Sequence, residues 1–152
     1  MDQPLSGARA QLRPPRNLVS PRAIWYWAAR ALGGWLVVIL VELCLLVLLP
    51  DGQLSWHLIA LTVTVVVAAA HLVVMPQWRF RVHRWEVTES AVYTQSGWFS
   101  QERRIAPISR IQTVDTERGP LEQVFRLSNI TVTTASAAGP LKIHGLDRDQ
   151  AQ

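Results

Sequence analysis

The chain has 152 residues, 49% of them hydrophobic, and a formal net charge of +4 at pH 7. Its one cysteine, Cys44, has no partner within the chain, which excludes a fold held together by internal disulfides. The positive charge suits nucleic acid or an anionic membrane surface, and the positions of the arginines along the chain distinguish these two partners.

The first segment, residues 1–19, is rich in proline, glycine and arginine and has no periodic apolar pattern. This composition predicts a disordered basic tail. Ser20 is a suitable N-cap and Pro21 a suitable first helical residue, so we expect the first helix to begin there.

Two long apolar runs predict a transmembrane helical hairpin over residues 20–75. The span 33–49 contains one charged residue, and the span 56–75 contains none at neutral pH. Each run approaches the roughly 20 residues that a helix needs to cross the hydrocarbon layer. The segment PDGQLS between them is rich in turn residues and is long enough only for an antiparallel connection. A signal peptide is excluded because about thirty residues precede the first run and no small-residue cleavage site follows it.

Arginines flank the hairpin on one side only, since the turn between the two runs contains none. The positive-inside rule then places the N-terminal tail and the C-terminal domain on the cytoplasmic side of the membrane. Contact with anionic lipid headgroups explains this charge, so we expect a lipid bilayer as partner and no nucleic acid. The arginines on which this expectation rests are Arg9, Arg13, Arg16, Arg22 and Arg30 before the hairpin, and Arg79, Arg81 and Arg84 after it.

Glu42 and His71 lie inside the predicted spans, where ionisable residues are candidate functional residues. Counting from the turn places them at depths of about 12 Å and about 23 Å, so they are not expected to pair directly. Thr62 and Thr64 lie at the depth of Glu42 and can hydrogen-bond a protonated carboxyl group.

His71 lies level with Gly33 and Gly34, where close helix approach or headgroup contact would satisfy it. A structural or oligomer-contact role is favoured over transport, because two helices cannot enclose a polar path without other subunits. The candidate helix contacts are therefore Gly33, Gly34, Glu42, Thr62, Thr64 and His71.

Residues 76–152 change to short β-type segments separated by turn residues, which predicts a mainly β domain. A closing segment, DRDQAQ, predicts the first turn of a helix with Asp147 as its N-cap. The six predicted strands are FRVHRWEVT, AVYTQSGWF, SQERRIA, RIQTVDT, NITVTTAS and LKIHGL.

Within the stretch RRIAPISRIQTV, alternation puts Arg103 on the same face as Ile105 and leaves Arg104 as the more exposed charge. Pro107 is expected to end one ladder before the next strand begins, because it offers no amide hydrogen. The apolar residues of this stretch are assigned to packing: Ile105, Ile108, Ile111 and Val114.

The order of these elements resembles the YdbS-like type of bacterial pleckstrin-homology-like (PH-like) membrane proteins. The residues that carry the resemblance are Gly97, the arginine pair Arg103 and Arg104, and the segments IAPISRIQTV, LEQVFRL and ITVTT. The resemblance implies two transmembrane helices followed by a PH-like domain of about six strands and a closing helix. It also implies a non-enzymatic protein, often encoded beside a larger relative with repeated domains of the same kind.

Two departures from the family pattern stand out. Arg126 occupies a position where the family usually has glycine, which is expected to reshape one turn. The closing helix is cut to its first turn, which leaves open whether the chain is a fragment or whether another subunit covers that end of the sheet.

The residues offer little from which to build an active site, since no histidines have metal-ligand spacing and no phosphate-binding glycine loop is present. We therefore expect a non-enzymatic protein without cofactor, metal or small-molecule substrate. Its cytoplasmic domain is expected to bind a lipid headgroup or a protein, namely a second copy or a larger protein with repeated PH-like domains. The alternative is a structural or transport subunit that uses Glu42 and His71. The candidate anion contacts are Arg103, Arg104, Arg110 and Lys142, although solvated strand-face charges are the more common reading of such residues.

Overall fold

The computed structural model describes residues 14–48, 54–136 and 139–150. Short 3₁₀ turns follow two of its strands, at Ile108–Arg110 and Arg148–Gln150. The helices and strands in these ranges are β1 (Asn17–Leu18), α1 (Arg22–Leu48), α2 (Leu54–Val82), β2 (Arg84–Val87), β3 (Ala91–Gly97), β4 (Gln101–Pro107), β5 (Ile111–Glu117), α3 (Pro120–Val124), β6 (Leu127–Thr134) and β7 (Leu141–Asp147).

Helices α1 and α2 form the predicted hairpin, and both are long and apolar enough to cross a membrane. Their 27 and 29 residues correspond to lengths of about 40 Å and about 43 Å. The most apolar part of α1 is 0% buried within the chain, and that of α2 is 11% buried. Such exposure is typical of lipid-facing helices, since an apolar helix in the core of a soluble protein would be covered.

Helix α2 continues to Val82, past the predicted end of the hairpin at Met75. The prediction that Phe80 and Val82 belong to the first strand is wrong, because that strand begins at Arg84. Pro76 lies inside the helix and is buried, and Phe80 packs four residues further along against the core. The alternation of Phe80 and Val82 with polar neighbours resembled a strand, but the buried residues follow the helical spacing.

The β domain has two antiparallel sheets, one with the order β1-β2-β3-β4 and the other with the order β5-β6-β7. All six predicted strands are present. Strand β1 was not predicted: Asn17 pairs with Trp85, within a segment assigned to the disordered tail. Val19 and Ser20, which follow it, are buried, and their burial accounts for the order of this segment. Residues 1–13 of the predicted tail lie outside the described residues.

One hydrophobic cluster lies between the two sheets and contains Val92, Ala106, Val132, Leu141, Ile143 and Leu146. A second cluster joins the first turns of α1 to the β domain. Gly145 allows the close approach there, since a side-chain β-carbon at this residue would lie 2.9 Å from the Cβ of Ala23. The members of this junction cluster are Val19, Ala23, Tyr26, Trp27 and Leu127.

The stretch from Arg103 to Val114 is built differently from the prediction. Ala106, not Ile105, is the buried residue of β4, so Arg104 shares the inner face and Arg103 lies on the exposed face. The face assignment of this strand was therefore reversed, because a small alanine marks the core less clearly than isoleucine does. Ile105, Ile108 and Val114 are exposed, whereas Ile111 packs against the core as expected.

The predictions for Pro107 and for Asp147 have different outcomes. Strand β4 ends at Pro107, as predicted from its missing amide hydrogen. Asp147, predicted to be a helix N-cap, is instead the last residue of β7, and a 3₁₀ turn follows it.

Candidate functional site

The four predicted anion contacts do not come together around one cavity of the described chain. The Nε of Arg103 donates to Oε1 of Gln95 across the sheet, over 3.1 Å. Arg104 donates through Nε to Glu102 at 2.6 Å and through Nη1 to the carbonyl oxygen of Pro140 at 2.7 Å. Both arginines thus have partners within the fold, while Arg110 and Lys142 are exposed on separate elements.

A different group of basic residues surrounds a cavity of about 360 Å³ at one end of the sheet β5-β6-β7. We call it the arginine cleft. It is lined by Arg118, Gln123, Arg126, Leu127 and Arg148.

Strand pairing brings these three arginines together. Leu127 pairs with Asp147, so the residues just outside this pair, Arg126 and Arg148, are neighbours. The amide of Arg148 donates to the carbonyl oxygen of Arg126 at 3.1 Å. On the other side of β6, Arg118 follows β5 and its Nε donates to Oγ of Ser128 at 2.7 Å.

Arg126 adopts a left-handed backbone conformation with φ of 54°. It follows α3, at a position where glycine is favoured because a side chain costs about 1 kcal/mol there. The resemblance pointed to this same residue as an arginine in place of glycine. The turn is formed despite the substitution, and the outcome is a guanidinium group on the wall of the cleft.

Among the described residues, the guanidinium groups of Arg126 and Arg148 have no hydrogen-bond or ion-pair partner. Guanidinium groups match the geometry of carboxylate and phosphate, and they bind these anions through charge-assisted hydrogen bonds. The cleft is therefore suited to a small anionic group.

Two contacts fasten this end of the β domain to α1. The hydroxyl of Tyr26 donates to Oε1 of Glu122 at 2.8 Å. Burial alone would raise the pKa of Glu122, but hydrogen bonds from Tyr26 and Asn129 lower it below its ordinary value. Arg22 forms an ion pair with Asp147 at 3.3 Å. The cleft is thus held beside the first turns of a helix whose apolar part begins near Gly33.

Inside the hairpin, Glu42 and His71 have separate partners. Oγ1 of Thr64 donates to Oε1 of Glu42 at 2.6 Å, whereas Thr62 donates to the carbonyl of Leu58 in its own helix. Nε1 of Trp35 donates to Nδ1 of His71 at 3.0 Å. In each of these two contacts, one polar side chain belongs to α1 and the other to α2. The two contacts lie at different depths along the hairpin.

Within the described chain, the two helices do not approach closely at Gly33 and Gly34, and the role of these glycines as contacts with other helices stays a prediction. A side-chain carbon placed on Gly33 or Gly34 would meet nothing within 4 Å in the described chain. His71 is satisfied by an indole, a partner that the depth count did not suggest.

The two histidines of the β domain are kept neutral by burial. Burial lowers the pKa of His83 to about 4, although its Nδ1 lies 2.8 Å from the carbonyl oxygen of Arg79. Burial also lowers the pKa of His144, and the charge of Lys142 adds to that effect. Within the described ranges, no group of three or more His, Cys, Asp or Glu residues could hold a metal ion.

Comparison of the sequence with known proteins shows the family of the chain. The model of the family described as "Bacterial PH domain" matches residues 31–152. The chain belongs to this family. It is also 28% identical over 130 residues to the transmembrane protein YdbS of Bacillus subtilis (strain 168), covering 80% of this chain and 78% of that protein. No solved structure matches the chain.

Membership of the bacterial PH domain family agrees with the fold: a membrane protein with two apolar helices and a β domain of two antiparallel sheets. The family is not a known enzyme family. Sequence reasoning did not find the arginine cleft, since Arg118 and Arg148 are 30 positions apart. The signal that pointed toward it was Arg126, at a position where the family usually has glycine.

Proposed function

We propose that this bacterial PH domain protein is a plasma-membrane module with both termini in the cytoplasm, which binds anionic phospholipid headgroups at its arginine cleft. The observation that carries the proposal is the meeting of three guanidinium groups around one cavity of about 360 Å³. A phosphate group is an anion that such a planar, multivalent donor set recognises well.

The orientation rests on the arginines, which flank the β-domain end of the hairpin on both helices. Arginines beside a transmembrane helix favour the cytoplasmic side, where anionic lipids attract them. The β domain then lies against the cytoplasmic leaflet.

The depth of the cleft supports a lipid headgroup as ligand. Glu122 contacts Tyr26, which lies seven residues, or about 10 Å, before Gly33. Headgroup regions extend roughly 5–8 Å beyond the hydrocarbon on each side, so this end of the β domain lies at the membrane surface. Leu121 and Val124 of α3 are exposed apolar residues at the same level, as expected of a surface that rests on lipid.

The test compares two double variants with the same loss of charge. Arg126→Gln with Arg148→Gln removes the two unpartnered cleft arginines, and Arg110→Gln with Lys142→Gln removes two exposed charges elsewhere. Each full-length protein is purified from mixed vesicles of phosphatidylcholine and phosphatidylglycerol. The phosphatidylglycerol retained per protein is then measured by mass spectrometry.

We expect the cleft variant to lose most of its retained phosphatidylglycerol and the control variant to resemble the wild type. An equal loss in both variants would mean that net charge alone attracts the lipid, and the cleft would have no special role. Glycerol phosphate, titrated against the wild type, distinguishes a free phosphate ligand from a lipid. Tight binding of glycerol phosphate without lipid enrichment contradicts the headgroup proposal.

A second candidate function is protein binding at strand β5, which is an edge of its sheet. All its residues after Ile111 are exposed, although most strands of a folded domain bury one face. An unpaired strand edge is a template for another strand, and we propose a second copy or a larger protein with repeated PH-like domains as its partner.

A photo-crosslinking amino acid at Gln112, compared with one at Lys142 on β7, tests this second candidate in cells. Discrete adducts from Gln112 alone support it, and adducts from neither position contradict it. No transport role is proposed, because Glu42 and His71 have separate partners at different depths.

A further inference from the structure

The turn between β3 and β4 exposes two large aromatic side chains, Trp98 and Phe99. Phe99 is 99% exposed, the highest value among the exposed large hydrophobic residues of the described chain. A fully exposed phenylalanine is unfavourable in water, because its large apolar surface stays in contact with water. This aromatic loop therefore needs an apolar environment that the described residues do not provide.

The loop has a defined conformation. Gly97 begins it with φ of 124°, and any side chain there would collide with the carbonyl oxygen of Ser100. Nε1 of Trp78 on α2 donates to the carbonyl oxygen of Trp98 at 2.9 Å, which attaches the loop to the helix. The exposure of Phe99 is thus a property of an anchored turn.

The aromatic loop lies beside the apolar part of α2. The ring of Trp98 is 6.1 Å from the ring of His71, centroid to centroid. His71 lies eleven residues before the end of α2 at Val82, a distance of about 16 Å along the helix, and it belongs to the uncharged run 56–75. The loop therefore reaches past Arg79 to the level of the uncharged run of α2.

Between the aromatic loop and α2 is an apolar groove with a volume of about 620 Å³. This volume is within the range of about 300–1,000 Å³ that is typical of ligand sites. Its wall on α2 continues directly into the exposed apolar surface of the helix. The groove is lined chiefly by Val67, Ala70, Val74 and Met75 on one side and by Trp98 and Phe99 on the other.

We propose that the aromatic loop is inserted into the leaflet next to the β domain and that the groove holds one acyl chain of a phospholipid of that leaflet. The occupant follows from position, because the groove opens on a helix surface that a bilayer covers in any case. Trp98 lies at the interface, where an indole is favoured, and Phe99 lies deeper, where it meets only apolar groups. The proposal goes beyond headgroup binding and does not depend on the arginine cleft, with which the groove shares no residue.

Insertion of the loop is tested by fluorescence in vesicles of phosphatidylcholine. Cys44→Ser provides a cysteine-free protein, into which Phe99→Cys is introduced and labelled with an environment-sensitive dye. Glu89→Cys is the matched control, since Glu89 is exposed in the turn at the opposite end of β3. The label at residue 99 should be quenched by nitroxides on lipid chains and protected from aqueous dithionite, and the label at residue 89 should show the reverse. Equal accessibility of both labels to dithionite overturns the proposal.

Occupancy of the groove is tested with phosphatidylcholine that carries a diazirine in its acyl chain. Ala70→Phe fills the groove, whereas Ala69→Phe adds the same ring to an exposed neighbouring residue that does not line it. Adducts on residues 67–78 and 98–99 should fall severalfold in Ala70→Phe and remain unchanged in Ala69→Phe. Equal adduct yields in the two variants, or no enrichment over the rest of α2 in the wild type, overturn the acyl-chain site even if the loop is inserted.

Discussion

The junction of the helical hairpin with the β domain and the middle of the hairpin are held in different ways. Where α1 meets the β domain, Ala23, Tyr26 and Trp27 are buried in a cluster with Val19 and Leu127. Farther along, the side chains of α1 are largely exposed. In the part of the chain that the structure describes, its side-chain hydrogen bonds with α2 are those between Trp35 and His71 and between Thr64 and Glu42. The junction is stabilised by packing and the middle of the hairpin by single polar contacts.

This difference follows from the solvent. At the junction, burial removes apolar surface from water, and each large side chain contributes on the order of 2–3 kcal/mol. Within a bilayer the helix surfaces are already in an apolar medium, so packing and hydrogen bonds remain as the main forces between helices. Substitutions at the junction should therefore cost much more than comparable substitutions in the middle of the hairpin.

The largest effect is expected for Trp27→Ala. Trp27 is 3% exposed, and its ring lies beside that of His83 with centroids 5.0 Å apart and a tilt of 51°. The guanidinium group of Arg79 lies over the Trp27 ring, 4.7 Å from its centroid. Its removal should cost about 3–5 kcal/mol in free energy of unfolding. Chemical denaturation in detergent, followed by circular dichroism of the β domain, measures this loss.

Trp25→Ala is the matched control, because Trp25 lies on the same helix but is exposed. It should cost less than about 1 kcal/mol. Equal losses for the two tryptophans would mean that the junction is not the stabilising contact of the hairpin.

Acid should weaken the junction next most strongly, through His83. Its pKa is about 4 in the folded chain and about 6.5 when unfolded, so between these values the unfolded state binds the proton and the folded state does not. Stability should fall by about 3 kcal/mol as the pH decreases from 6.5 to 4, with no further loss from this group below that range. Denaturation curves at several pH values measure the slope.

His83→Leu separates this contribution from that of the carboxylates, whose protonation in acid also lowers the stability of the folded protein. The difference between the wild type and His83→Leu should shrink as the pH falls through this window. A difference that stays constant with pH would assign the acid sensitivity to other groups.

Gly145→Ala should have a smaller effect at the same junction, about 2 kcal/mol. The added carbon would lie 2.9 Å from the Cβ of Ala23, and the residue has φ of 76°, which disfavours any side chain. Denaturation under the same conditions gives the cost. Gly139→Ala shares the positive φ but would meet nothing within 4 Å, so the excess loss at Gly145 measures the contact with α1.

The sequence predicted the elements that depend on local pattern. Two long apolar runs and six short alternating segments are visible without tertiary contacts, and all of them are present. The last turns of α2 were missed because Phe80 and Val82 alternate like strand residues, and only packing against the junction shows them to be helical. Strand β1 was missed for a similar reason, since two residues become a strand only by pairing with β2.

The candidate site was harder to predict than the fold. Arg118, Arg126 and Arg148 meet through the register of β5, β6 and β7, which a single sequence does not reveal. In β4 the alternation was correct but its phase was not, because Ile105 drew the core assignment away from the smaller Ala106. Pattern alone fixes which residues share a face, but it does not fix which face the fold buries.

The smallest effect should be that of Thr64→Val in the middle of the hairpin. The substitution keeps the shape of the side chain but removes the hydrogen bond to Glu42, whose second carboxylate oxygen is already buried without a partner in the described chain. Hydrogen bonds between membrane helices contribute on average about 0.6 kcal/mol, so the loss should be of that size. Thr62→Val is the control, since Thr62 donates within its own helix and should cost little. Unfolding of the hairpin in bicelles measures both, and a loss at Thr64 as large as that at Trp27 would show that one polar contact, not the packed junction, holds the two helices together.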